Sequence, residues 1–77
     1  MLLKIISPER TLHQGEVDSV SLPGTLGLFM VLKDHAPLVS ALTRGNVVFV
    51  ADGMEHAVAI ERGVVEVKNN AVVVCVS

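Results

Sequence analysis

The sequence predicts an all-β domain, a small β-sandwich or flattened barrel of about eight or more short, mostly antiparallel strands. Short runs rich in Val and Ile recur from one end of the chain to the other. Turn-forming pairs such as Ser7-Pro8, Pro23-Gly24, Asp52-Gly53 and Asn69-Asn70 punctuate them. No amphipathic helical period of useful length is present.

Residues 2–7 read as the first strand. Ser7-Pro8-Glu9-Arg10 closes it, because Pro8 has no N–H to donate and biases Ser7 toward extended backbone. His13 reads as a solvated turn residue before Gly15, and residues 16–22 as the second strand. Its apolar positions, Val17, Val20 and Leu22, do not keep one parity, so a β-bulge is expected near Asp18-Ser19. Pro23-Gly24 is expected to turn, with residues 25–27 leading into the next strand.

That strand is apolar on both faces, since Phe29 and Val31 oppose Leu28, Met30 and Leu32. Lys33-Asp34-His35 forms a polar loop, and Ala36-Pro37 opens a strand in which Leu38 and Leu42 are opposed by Val39 and Ala41. Arg44-Gly45-Asn46 turns the chain into residues 47–51, and Asp52-Gly53 specifies a type I′ hairpin to residues 55–60. There His56, Val58 and Ile60 share one face. Arg62-Gly63 turns into residues 64–68, where Val65 and Val67 alternate with Glu66 and Lys68. Asn69-Asn70, both tolerant of positive φ, gives the last hairpin before residues 72–76.

Residues 1–77 form one domain, at a size where a core barely offsets an ordering cost of about 1.5 kcal/mol per residue. The single cysteine, Cys75, has no partner for an internal bridge, so a reducing compartment is expected, with Cys75 as a small buried hydrophobe. Hydrophobic residues make up 51% of the chain, yet their runs are too short and too β-branched to span a bilayer as a helix. No direct membrane insertion is expected, and without a visible export signal a cytoplasmic location is. Six basic residues are scattered among eight acidic ones, and two Phe are the only aromatics, which argues against nucleic acid.

His13, His35 and His56 lie in different elements with no second ligand at metal-binding spacing. His35, preceding Ala-Pro-Leu, has the best claim on function among them. Glu16, Asp18, Asp52, Glu55, Glu61 and Glu66 fall in turns or on polar parities and read as a solvated face. Ser7, Ser19, Ser21 and Ser40 lack a nucleophile-elbow context, and Gly24-Thr25-Leu26-Gly27 lacks the lysine and helix of a phosphate loop. No catalytic, cofactor or metal residue is therefore assigned, and no small-molecule substrate is expected.

The doubly apolar strands imply a protein that works by binding a partner, because a domain this small has little to cover their second face. Two other classes fit the composition. A biotinyl or lipoyl carrier would need an acceptor lysine at a hairpin tip, and Lys68 stands beside such a tip. A small hydrolase would need a constellation that the residues do not supply.

Pro23-Gly24-Thr25-Leu26-Gly27, then Val31-Leu32, then His35-Ala36-Pro37-Leu38-Val39 closely resemble the epsilon-subunit family of bacterial F-type ATP synthases, whose pattern is roughly PGxxGxxGVLPGHAPLV. Ser7-Pro8-Glu9-Arg10, Gly15-Glu16-Val17, Arg44-Gly45 and the run from Glu61 to Val67 also match, so the resemblance covers essentially the whole chain. Met30 stands in place of a glycine, Lys33-Asp34 in place of Pro-Gly, and Glu61-Arg62 in place of Ser-Gly, which alters loop geometry locally.

The resemblance implies a non-catalytic central-stalk subunit, a peripheral protein at the cytoplasmic face of the inner membrane. It would couple the gamma subunit to the membrane c-ring during proton-driven ATP synthesis. It implies a c-ring contact through Leu28, Phe29, His35, Ala36, Pro37, Leu38 and Val39, and a gamma contact through Ser7, Pro8, Met30, Ser40 and Ala41. Longer members carry a helical hairpin that restrains ATP hydrolysis and in some binds ATP. A chain ending at Ser77 is expected to keep the coupling part alone.

Overall fold

Every second residue along most of the chain is a branched or leucine side chain, and burying that parity is what organises the backbone. A computed structural model describes residues 1–77 as nine strands with no helix: β1 (Leu2–Ile6), β2 (Thr11–Glu16), β3 (Ser19–Gly24), β4 (Gly27–Leu32), β5 (Leu38–Leu42), β6 (Gly45–Ala51), β7 (Met54–Ile60), β8 (Gly63–Lys68) and β9 (Ala71–Val76).

The strands run in the order β2-β1-β9-β8-β5-β3-β6-β7, with β4 added to β3. All neighbours are antiparallel except β1 and β9. The sheet divides where β3 changes partner. Ser19, Val20 and Ser21 pair with β6, whereas Gly24 pairs with Leu42 of β5. One half is therefore β2-β1-β9-β8-β5 and the other β4-β3-β6-β7. Leu3, Ile5, Val65, Val67, Val72 and Val74 of the first join Val20, Leu22, Val31, Val47, Phe49 and Ile60 of the second in one core, in which no polar side chain is buried. Full burial of each such side chain contributes about 1.5–3 kcal/mol.

Several expectations from sequence are corrected here. Residues 16–22 are not one bulged strand. The chain ends β2 at Glu16, crosses between the halves at Val17-Asp18 and begins β3 at Ser19, with Val17 N donating to the Met1 carbonyl (2.8 Å) and Asp18 N to that of Val50 (2.7 Å). That crossing produces the mixed parity, and the register irregularity lies instead between Ile5 and Ile6 of β1. His13 is not a solvated turn residue, because pairing with Ile5 draws it into β2, where it is half-buried.

Pro23 and Gly24 are buried strand residues, and Thr25-Leu26 make the turn before Gly27. Pro23 is tolerated because it sits where β3 passes from β6 to β5, and its carbonyl accepts from Thr43 N at 2.8 Å. Cys75 is exposed, since Val72, Val74 and Val76 take the inward parity of β9.

The two tightest hairpins agree with the reading from sequence: Asp52 and Gly53 have φ of 53° and 74°, and Asn69 and Asn70 of 52° and 58°. Gly53→Ala should cost about 1 kcal/mol, read as a lower denaturation midpoint with an unchanged fold, because open space surrounds the added methyl and only the left-handed backbone is penalised.

Candidate functional site

Register fixes which side chains the two halves turn outward. On the first half, Ala41 of β5 lies opposite Val64 of β8, Val64 opposite Cys75 of β9, and Cys75 beside Ile6 of β1. This uncharged row crosses four strands. The adjacent row runs Val39, Glu66, Val73, Lys4, so charges begin one row away. Val39 is 69% exposed and Val64 49%. Ser7 and Pro8 follow Ile6 in a turn held by Ser7 N donating to the Arg10 carbonyl at 2.8 Å.

On the second half, Leu28, Met30 and Leu32 stand outward from β4, with Leu28 76% exposed. Beside them Met30 aligns with Ser21, Val48 and Ala57 across β3, β6 and β7. Both outer surfaces are thus apolar at their centres. A sandwich core needs only the inner parities, so the outer rows are surplus to folding.

Between the β3–β4 hairpin and β5 lies an open groove of about 400 Å³, lined by Leu26, Leu28, Phe29, Leu38, Val39 and Ser40. Thr25 N donates to the Ala41 carbonyl at 3.1 Å and pins the hairpin against β5. Gly24 lets β3 and β4 close on each other within the hairpin: a Cβ there would lie 2.7 Å from the Gly27 carbonyl oxygen and 2.9 Å from the Phe29 ring. The 33–37 loop leads into the groove wall. His35 N donates to the Leu32 carbonyl at 3.2 Å, and its Nδ1–H donates to the Ala36 carbonyl at 2.7 Å, so this histidine shapes the loop. Asp34 adopts φ 61° and donates its N–H to Asn70 Oδ1 at 3.0 Å, which ties the loop to the β8–β9 turn.

The residues singled out from sequence are therefore distributed unevenly. Leu28, Phe29, Leu38 and Val39 converge on the groove, with His35, Ala36 and Pro37 in the loop that precedes β5. Of the second set, Ala41 belongs to the outer row of the first half and Ser7 and Pro8 adjoin it at Ile6. Ser40 lines the groove, and Met30 sits on the other half altogether. Lys68 pairs with Ala71 within the β8–β9 ladder, set back from the hairpin apex.

Sequence reading missed Ile6, Val64 and Cys75. Val64 shares its parity with Glu66 and Lys68 and so looked polar by association. The apolar run 71–76 did carry a signal, because it is apolar at both parities, as β4 is. What this arrangement can do is bind: each large aliphatic side chain covered by a partner contributes roughly 1.5–3 kcal/mol before the cost of association.

Residues 1–77 match the family described as the ATP synthase delta/epsilon chain, β-sandwich domain. An ATP synthase epsilon chain of Leptospira borgpetersenii is 41% identical over 70 residues, covering 91% of this chain and 55% of the relative. One from Chlorobium limicola is 44% identical over 69 residues, covering 88% of this chain and 78% of the relative. The chain spans about half the length of the Leptospira relatives it matches. Among solved structures, a chain of the Euglena gracilis mitochondrial ATP synthase OSCP/F1/c-ring assembly superposes with a TM-score of 0.90 at 19% identity, covering 96% of this chain and 48% of that one. A chain of the Tetrahymena thermophila mitochondrial central stalk and c-ring gives 0.83 at 10% identity, with 97% and 61% covered. At these identities the superpositions establish the shared fold.

Proposed function

The chain belongs to the delta/epsilon β-sandwich family of ATP synthase, and from that premise we propose that it is a non-catalytic central-stalk element that links the gamma subunit to the c-ring. The observation that supports this reading most is that one doubly layered body carries two separate apolar surfaces, the outer row of its first half and the groove between the β3–β4 hairpin and β5. A rotor part has to hold two partners at once and pass torque between them, and a hydrogen-bonded sandwich resists the shear. The row Ala41, Val64, Cys75 and Ile6, continued by Ser7 and Pro8, is assigned to gamma. The groove of Leu28, Phe29, Leu38 and Val39, with the His35-Ala36-Pro37 loop, is assigned to the c-ring. On this reading the chain would sit at the cytoplasmic face of the membrane without inserting into it.

The test is reconstitution of the complete ATP synthase, carrying this chain as its central-stalk element, into vesicles. Leu28→Asp is expected to leave the fold and the gamma contact intact, because Leu28 is exposed, while proton-driven ATP synthesis falls at least about tenfold. Full synthesis by that variant would remove the groove from the c-ring contact.

A further inference from the structure

We infer that the margin of the sandwich where β2 approaches β7 is an acid-sensitive seam, latched by His13 and His56 against the ring of Phe49. β2 and β7 are the terminal strands of the continuous strand order, so no ladder hydrogen bonds join them. Side chains must close the gap. His13 of β2 lies with its ring centroid 4.2 Å from that of Phe49, tilted by 41°, and His56 of β7 stacks 5.2 Å from the same phenyl at 22°. Phe49 is buried and directly opposite His56 in the β6–β7 register. Two imidazoles from opposite ends of the sheet thus share one aromatic ring.

The protonation state decides whether this latch is comfortable. His13 Nε2 is closed off from solvent and has no hydrogen-bond partner. As a bare nitrogen it tolerates that position, but a proton there would be a buried donor with no acceptor. No carboxylate faces it to compensate. Lys4 of β1 and Glu16 of β2 lie on the outward parity, as does Glu55 of β7, which pairs with Val50, and β6 carries no charged side chain. The one titratable group turned the same way is His56, whose charge repels. Burial first, and the His56 charge second, hold the His13 imidazole below the usual histidine range.

The sign follows from that depression. The unfolded chain takes up a proton at the ordinary histidine value while the folded chain resists it. The stabilisation is therefore complete above the ordinary value and is lost as pH falls through the lowered one. The first elements to loosen are β2 and β7, whose outer edges have no strand partner. This seam is independent of the assigned docking surfaces, and its test needs no partner.

Urea unfolding of the full chain from about pH 8 to about pH 5 should show a falling midpoint in the unmodified protein and a shallower fall in His13→Phe, which keeps an aromatic ring against Phe49. Amide exchange at about pH 5 should rise roughly tenfold more in β2 and β7 than in β8 and β9. An unchanged slope in His13→Phe, or uniform exchange across the strands, overturns the inference. Should that variant fail to fold, ring titration of the unmodified chain decides: His13 titrating below the ordinary histidine value supports the seam, and at or above it ends it.

Discussion

Val64→Glu is expected to leave the isolated chain folded and to weaken the proposed association with the gamma subunit by at least about 100-fold, or about 2.7 kcal/mol. Val64 stands at the middle of the uncharged row, with Ala41 on one side and Cys75 on the other. Its parity on β8 already carries Glu66 and Lys68, so the fold accommodates a carboxylate there. Covered by a partner, the same carboxylate loses its water and finds no cation in the row to replace it. The comparison that isolates the effect is Val65→Glu, one residue along and fully buried, which should abolish folding outright. Circular dichroism separates the two variants, and titration against purified gamma measures the first. If Val64→Glu binds gamma at the unmodified affinity, that row is not the docking surface.

Gly24→Val should destabilise the chain by about 3 kcal/mol, near the upper end of what overpacking costs. The first atom of the new side chain would meet the Gly27 carbonyl oxygen at 2.7 Å, and backbone cannot swing aside as a flexible side chain does. Gly24 also lies where β3 meets both Gly27 of β4 and Leu42 of β5. Relief of the clash must therefore part β4 from β3 at the hairpin end and displace Phe29 from the groove that Leu28, Leu38 and Val39 also line. Chemical denaturation reads the stability loss. Exchange at Thr25 N, which donates to the Ala41 carbonyl, reads the displaced hairpin. A variant with wild-type stability and a protected Thr25 amide would show that the hairpin is not held by this close approach.

What was legible in the sequence was local. Asp52-Gly53 and Asn69-Asn70 declare their hairpins because the needed positive φ is a property of those residues themselves. The surplus of apolar side chains on β4 was legible because Leu28, Met30 and Leu32 oppose Phe29 and Val31 on one short strand, whichever set faces inward. What depends on distant neighbours was not legible. Residues 11–16 hold a single large aliphatic, Leu12, and become a strand through pairing with β1. The step from one half to the other at Val17-Asp18 imitates a bulge in one dimension, since either event shifts parity by one. Cys75 was misplaced because a run apolar on both parities gives no internal clue to which set faces the core.

The parallel ladder between β1 and β9 joins Leu2 with Ala71 and Ile6 with Cys75, the opening strand of the chain with its final one. During synthesis β1 leaves the ribosome well before β9, its partner on that side, has been made. A nascent chain must therefore wait with Leu3 and Ile5 in search of cover, and a product cut short before residue 71 loses the strand that separates β1 from β8.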